Sequence, residues 1–424
     1  MIKIYKYNEI TKEEIFGRKE DKVDVTDIVR EIIDDVRNNG DKALFHYCEK
    51  FDKAKLDSLE VTKEEIEEAV KKVDKKLLEI LKEAKENIES FHSKQVRNSF
   101  IINDKKGVVM GQKIMPIEKA GLYVPGGTAA YPSSVLMNAI PAKLAGVEEI
   151  VMVTPPTGGS INPNILAAAF VAGVDRIFKL GGAQAVAALA YGTETVPKVD
   201  KIVGPGNAFV AEAKRQVFGA VSIDMIAGPS EILVVADSTN NPAHIAADLL
   251  SQAEHDKNAS AVLVTDSLDF AKKVQEETDR QVKMLPRFEI ANASIEDNGK
   301  IIVADDLSAA MDIANELAPE HLEICVDNPF DYLDKVKHAG SVFLGKNCPE
   351  SLGDYMAGPN HTLPTSGTAR FSSPLSVDDF IKKTQYTYFT GEAFKEISDK
   401  VAYFAESEGL SAHARSASIR KENR

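Results

Sequence analysis

Gly121-Leu122-Tyr123-Val124-Pro125-Gly126-Gly127, Glu149-Ile150-Val151-Met152-Val153, Arg176-Ile177-Phe178-Lys179-Leu180-Gly181-Gly182 and Lys201-Ile202-Val203-Gly204-Pro205-Gly206 are the stretches that decide the fold. Each is a short apolar run closed by glycine or proline. Each leads into a helical pattern, from about 132, over 162–172, over 183–191 and over 207–218 respectively. Short apolar runs bounded by turn residues read as strands. A strand that passes repeatedly through a glycine-rich turn into a helix builds a parallel sheet with crossover helices.

A second set follows downstream. Glu231-Ile232-Leu233-Val234-Val235-Ala236 leads into a helix starting near Asn241, with Pro242 where a first-turn proline is tolerated. Ala261-Val262-Leu263-Val264-Thr265, Ile301-Ile302-Val303-Ala304, Leu322-Glu323-Ile324-Cys325-Val326 and Ser341-Val342-Phe343-Leu344 supply further strands. The chain therefore reads as two α/β halves, the second open to completion by N-terminal helices. Upstream, the first hundred residues read as helical. Thr62 with Glu65 makes a capping box, and Ile66, Val70, Val73, Leu77, Ile80, Ala84, Ile88 and Phe91 predict one long amphipathic helix whose single apolar stripe is a packing surface. Beyond about Ser376 a helical reading returns, ending in a basic tail suited to packing on a partner subunit.

At 424 residues the chain exceeds what one core ordinarily supports, so at least two domains are expected. The apolar fraction is 44% and the charged fraction 27%, as in soluble globular proteins. With 51 basic and 65 acidic side chains the net charge is −14, which repels phosphate backbones and argues against a nucleic-acid partner. The N-terminus lacks the apolar stretch of a secretory signal. The longest apolar run, 165–174, is too short to span a bilayer and reads as a buried helix. Three cysteines, Cys48, Cys325 and Cys348, are odd in number and lack metal-ligand spacing, as expected of a reducing compartment. A cytoplasmic protein with no membrane partner is the expectation.

Chemistry concentrates around four of the eight histidines. The segments are Ser251-Gln252-Ala253-Glu254-His255, Pro319-Glu320-His321, Gly353-Asp354-Tyr355 leading to Asn360-His361, and Glu408-Gly409-Leu410-Ser411-Ala412-His413. Each sets an imidazole within a few residues of a carboxylate or amide, the donors of a borderline metal and the acid/base groups of a catalytic site. Gln252 and His255, three apart on the helix from Asn241, share a face with Asp248, while Glu254 points away. Asp354 is expected in a loop rich in Gly, Pro and Asn, where functional carboxylates often lie. Gly409 breaks a helix before His413. Nitrogen and oxygen donors without thiolate suit an exchangeable Zn, Mn or Co site open to substrate. Read singly, each segment also has a plain alternative: a helix-end histidine beside a surface glutamine, a turn-forming aspartate, a solvated tail. Glu320 and His321, two adjacent titrating groups at a loop-to-strand edge, could serve two proton transfers or simply stand in a turn.

No Gly-x-Gly-x-x-Gly follows a strand, since Gly204-Pro205-Gly206 has Phe209 at the third position, and no Gly-x-x-x-x-Gly-Lys occurs. The turns at strand C-termini carry Tyr123, Gln184 and Asn207 instead. In an open α/β sheet that edge binds ligands, so a cofactor cleft is supported and the cofactor is left open.

Together these segments closely resemble the histidinol dehydrogenase family. The resemblance runs in one order from about Ala120 to Ser418 and also takes in Gly204-Pro205-Gly206-Asn207-Ala208, Gly228-Pro229-Ser230-Glu231 and Asn360-His361-Thr362-Leu363-Pro364-Thr365. It implies two Rossmann-like parallel-sheet α/β domains with smaller helical N- and C-terminal segments. Their expected division is 1–115 for a helical region contributing to the first α/β domain, 116–230 for the NAD side, 231–375 for the metal and acid/base residues, and 376–424 for a helical arm. It implies oxidation of L-histidinol through L-histidinal to L-histidine in two NAD-dependent steps, the last of histidine biosynthesis. By the same resemblance Gln252, His255, Asp354 and His413 are ligands of one Zn2+ per subunit and lie against substrate, with Ser230, His321, His361 and Glu408 as further substrate contacts. Tyr123, Gln184 and Asn207 are NAD contacts. Zinc anchors the substrate's imidazole and amino groups, His321 is the general base, and Glu320 activates the water that converts the aldehyde to its hydrate. The implied assembly is a homodimer with a shared site, the segment bearing Glu408 and His413 reaching into the partner.

Oxidation of an aldehyde needs a tetrahedral adduct with a thiol or with water. None of the three cysteines falls on a matched active-site position, although Cys348 lies six residues before Asp354, so water is the better reading. Lys257 stands where the family often has proline. Two rivals remain at this stage: a metal-dependent hydrolase using Glu320 or Glu254 on metal-bound water, which leaves the strand-end turns without a purpose, and a dehydrogenase-like protein that binds without turnover, which should have lost Glu320 or His321.

Overall fold

The computed structural model describes residues 1–9, 11, 14–15, 17, 24–126 and 130–422. Gly127, the last residue of the first glycine-rich turn, lies outside them. The chain divides into two compact units, one of Met1–Gln95 with Ile117–Phe380, the other of Val96–Pro116 with Ile381–Arg424.

The first unit holds two parallel sheets, as the strand–turn–helix pattern predicts. In the five-stranded sheet the order is Arg176–Lys179, Glu149–Thr154, Lys119–Tyr123, Lys201–Val203, Ser222–Ile223. The chain thus winds outward from Lys119–Tyr123, then returns to its other side at Lys201–Val203. That reversal leaves a crevice at the strand C-termini, the usual ligand edge of a doubly wound sheet. The crossover helices Pro132–Ala145, Pro163–Ala172, Gly182–Tyr191 and Ala208–Val217 cover the sheet. The long apolar run forms the buried helix Pro163–Ala172, capped by Asn162, whose side chain accepts from the Asn164 N–H. Among the described residues no helix is long and apolar enough to cross a membrane.

Helices of the N-terminal stretch pack on this sheet. Val29, Ile32 and Leu44 of Thr26–Phe51 share a core with Phe178 and Val186, and Leu81 and Ile88 share another with Val135, Ile140 and Leu166. The single long helix expected from Ile66 to Phe91 is two, Lys63–Lys72 and Lys75–His92. Val73 is extended (ψ 142°), and the Asp74 carboxylate accepts from the N–H groups of Lys76 and Leu77. A local cap outcompetes a continuous helix even though the apolar stripe runs across the break.

The six-stranded sheet has the order Lys3–Lys6, Lys300–Val303, Ser260–Thr265, Glu231–Ala236, His321–Cys325, Ser341–Leu344. The N-terminus completes the second half with an edge strand rather than with helices. Lys3–Lys6 pairs in parallel with Lys300–Val303.

The second unit carries a three-stranded antiparallel sheet of Phe100–Ile102, Val108–Pro116 and Ile381–Phe389, followed by helices Gly391–Ser407 and Ser411–Glu422. The stretch read as helical beyond Ser376 therefore opens with a nine-residue strand, registered from Ile381↔Pro116 to Phe389↔Val108. Its β-branched and aromatic content (Ile381, Thr384, Tyr386, Thr387, Tyr388, Phe389) favours a pleated strand over a helix.

Candidate active site

The site forms where the C-terminal edge of the five-stranded sheet meets the N-terminal edge of the six-stranded one. A cavity of about 250 Å³ is lined by Asn207 from the first sheet and by Ser230, Gln252, His255, Glu320, His321, Asp354 and His361 from the second half. Most of the residues singled out in the sequence thus converge on one space. Glu408 and His413 belong to the second unit. Glu408 ends the helix Gly391–Ser407, and Gly409 (φ +75°) turns the chain into the helix bearing His413.

Backbone pairing sets the acid/base residues. His321 opens its strand opposite Ile232, and Glu320 immediately precedes it. The Glu231 carbonyl accepts from His321 Nδ1 at 2.9 Å, and the Glu231 N–H donates to Glu320 Oε2 at 2.9 Å. Because a carbonyl can only accept, Nδ1 carries the proton, and a neutral imidazole then has its lone pair on Nε2. His321 Nε2 is buried with no hydrogen-bond partner among the described residues. Burial pulls the His321 pKa down, but the Glu320 carboxylate at 3.5 Å, with Glu350 and Asp354, outweighs it and holds the imidazole up at about 10.

Gln252 ends the helix Pro242–Ala253 and is buried; His255 follows in the next turn, its N–H donating to the Gln252 carbonyl at 3.1 Å. Asp354 lies on a short helix, Glu350–Tyr355, rather than in a loop, because Pro349 opens a helical turn there. That helix brings in Glu350, which the sequence reading missed. Spaced four from Asp354, it shares the same face. Ligand atoms of His321, Glu350 and Asp354 all lie within 4.8 Å of one another. Burial, then the Asp354 charge, pushes the Glu350 carboxyl up to about 7. Asp354 is raised by burial but held at about 2 by His361, whose Nδ1 is 3.5 Å from Asp354 Oδ1. His361 Nε2 lies 3.3 Å from the Ser134 hydroxyl. The Gln252 amide interacts with the Glu350 carboxylate, yet Gln252 Nε2 and Glu350 Oε1 reach hydrogen-bond geometry with no described residue. Buried polar atoms without partners, converging with an acceptor-rich donor set, are what a cation or a polar ligand would satisfy.

Behind the cluster, Glu323 accepts from the Glu350 N–H at 2.7 Å and anchors that short helix. Burial and the neighbouring Asp248 carboxylate raise the Glu323 pKa well above its usual range, and Asp248 itself does not line the cavity.

A second cavity, of about 480 Å³, opens at the crevice of the five-stranded sheet. It contains Tyr123, Gln184 and Asn207 together. The Tyr123 hydroxyl accepts from the Gly182 N–H at 3.1 Å; Gly182 has φ +63°, a conformation glycine adopts without strain. Asn207 caps the helix Ala208–Val217 through its oxygen, from Phe209 (3.1 Å) and Val210 (3.2 Å), which leaves its amide NH2 for a ligand. The turn before it is fixed by a buried ion pair between Lys214 and Asp224, which also engage the Gly204 carbonyl (3.0 Å) and N–H (2.7 Å). Asn207 lines both cavities, the crevice and the one that holds the carboxylate–histidine cluster.

A doubly wound α/β protein with a crevice at a sheet switch point, opening onto an imidazole–carboxylate–amide cluster, belongs by fold and site to the α/β ligand-converting enzymes. The comparisons narrow this. The sequence profile described as histidinol dehydrogenase matches residues 17–421. A histidinol dehydrogenase of Clostridium acetobutylicum is 61% identical over 393 residues, covering 92% of this chain and 91% of that protein. One of Bacillus cereus is 58% identical, covering 93% and 92%. The crystal structure of histidinol dehydrogenase from Elizabethkingia anophelis superposes with a TM-score of 0.94 at 42% identity, covering 99% and 98%. The chain belongs to the histidinol dehydrogenase family, and with it to the oxidoreductases.

Proposed function

We propose that this protein oxidises L-histidinol through L-histidinal to L-histidine with two molecules of NAD, the closing steps of histidine biosynthesis. The observation that carries the reading is Asn207, which lines both the crevice that holds Tyr123 and Gln184 and the cavity that holds Glu320 and His321. Gln252, His255 and Asp354 would hold one Zn2+, with His413 completing the set. The donor chemistry fits, being nitrogen and oxygen without thiolate, beside the buried Glu350 Oε1 and His321 Nε2, which have no hydrogen-bond partner among the described residues. When bound, zinc would anchor the imidazole and amino nitrogens of the substrate as a Lewis acid, and NAD would accept hydride.

The protein's own residues divide the proton transfers. His321 Nε2 takes the hydroxyl proton of the alcohol as hydride leaves its carbon. Glu320 then takes a proton from water as the water oxygen adds to the aldehyde carbon, and the protonated His321 returns its proton to the carbonyl oxygen to complete the hydrate. The neutral His321 takes the hydrate's hydroxyl proton as the second hydride leaves. Ser230 and His361 contact the substrate from the cavity wall, and Glu408 is assigned the same task. Water is the nucleophile because none of Cys48, Cys325 and Cys348 lines the cavity, and Cys48 and Cys325 are besides buried and held as thiols, Cys48 pushed up to about 12 by burial and Cys325 further. We infer a homodimer whose site is shared through Glu408 and His413, working in the cytoplasm. Three free cysteines support a reducing compartment.

The test is the number of NADH formed per L-histidinol consumed. Two are expected, lost on chelation and restored by zinc. Glu320→Gln should stop near one, with L-histidinal accumulating, while His321→Asn should suppress both. A single NADH in the wild-type protein, or equal loss of both steps in Glu320→Gln, would sink the assignment of water to Glu320. No NADH at all would return the hydrolase and non-turnover readings.

A further inference from the structure

The crevice cavity contains an acidic residue that the reaction does not use. Asp52 follows the helix Thr26–Phe51 as its C-terminal cap, its N–H donating to the Cys48 carbonyl at 3.1 Å. Its side chain lines the cavity with Tyr123 and Gln184. Asp52 Oδ2 is buried and has no hydrogen-bond partner among the described residues. The rest of the wall offers flat apolar surfaces, Phe51, Pro155 and Phe209, and no lysine or arginine lines the cavity among the described residues. Burial alone pushes the Asp52 carboxyl up to about 6, so the folded chain provides no charge that compensates it.

A buried acceptor of this kind calls for a donor from the ligand. Resting on the reading of this cavity as the dinucleotide cleft, we propose that Asp52 accepts hydrogen bonds from the vicinal hydroxyls of a dinucleotide ribose and so selects the unphosphorylated dinucleotide over its 2′-phosphorylated form. A ribose diol supplies two O–H donors and no charge. A 2′-phosphate supplies no donor, repels the carboxylate, and meets no cation in the lining. An acidic residue on the ribose hydroxyls is how sheet-edge clefts with a glycine fingerprint discriminate. Here, without that fingerprint, the carboxylate comes from a helix that precedes the sheet in the chain.

The experiment compares the zinc-loaded wild-type protein with Asp52→Asn and Asp52→Ala, using NAD and NADP with L-histidinol, and measures NADH and NADPH binding by calorimetry. Asp52→Asn keeps the shape and an acceptor oxygen but removes the charge. Its preference for the unphosphorylated dinucleotide should fall at least tenfold, in binding as well as in kcat/KM. Asp52→Ala should raise the KM for NAD about tenfold, with the loss falling on KM rather than kcat, and weaken NADH binding in parallel. Variants with wild-type melting temperature and an unchanged preference overturn the role of Asp52. A wild-type protein that binds and reduces neither dinucleotide overturns the assignment of the cavity, and the proposal with it.

Discussion

At the scale of single residues the site is a problem of surplus negative charge. Glu320, Glu350 and Asp354 surround one imidazole, and His321 responds by holding its proton up to about pH 10. A protonated His321 cannot act as a base, so the proposed mechanism requires a cation to relieve it. A divalent ion among these carboxylates removes the field that favours imidazolium and leaves burial, which favours the neutral ring. The sign follows: at pH 8 the metal-free site carries a proton on His321, whereas Glu350, near 7, is mostly ionised. Zinc entry should therefore release about one proton at pH 8, and His321→Asn should release markedly less. Calorimetry of zinc binding in buffers of different ionisation enthalpy reads this directly. Zinc binding without proton release at pH 8 would show that His321 is already neutral and that its field is balanced by other means.

Among elements, the turns at strand ends matter more than the strands. Gly204, with φ +114°, brings its backbone so close to the Tyr123 carbonyl that a Cβ would overlap it. Lys214 and Asp224 clamp that turn from inside the protein, and the cap of Asn207 follows from it. Lys214 stands on a helix face that sequence periodicity assigns to packing, so its charge is invisible until its partner is placed. Removing one member of a buried pair strands the other charge. Lys214→Met should lower stability by about 3 kcal/mol in urea unfolding, and pairing it with Asp224→Leu should recover most of the loss. A single-variant loss below about 1 kcal/mol would mean that water reaches Asp224 and that the pair does not fix the turn.

For the whole molecule, the two sheets present opposite edges to the site. The first offers strand C-termini, as doubly wound sheets do. The second offers strand N-termini: Ser230 and Glu231 precede or open one strand, and Glu320 and His321 another. At its C-terminal switch point Asn240 donates to the Cys325 carbonyl at 2.6 Å, tying the two strand ends together. The proposed sharing of Glu408 and His413 across a homodimer is tested by mixing chains. After subunit exchange, His321→Asn and His413→Asn chains should together regain about a quarter of wild-type activity, because half the dimers are mixed and each mixed dimer has one intact site. Confirmed exchange without recovery would show that each site is built from one chain.

Much was legible in the sequence because it is encoded over a few residues. Apolar runs closed by glycine, caps such as Asn162 and Asn207, and the four histidine segments are local patterns, and their joint order carried the family. The break at Asp74 and the strand Ile381–Phe389 were legible too, in a capping aspartate and a β-branched, aromatic composition, although periodicity pointed elsewhere. Tertiary structure alone decided that Lys3–Lys6 joins a sheet nearly three hundred residues away, that opposite sheet edges meet, and that Glu350 faces His321 and Asp52 faces Tyr123. Such pairings depend on the free energy of packing distant surfaces and of burying charge beside charge, and no short window of sequence contains both partners.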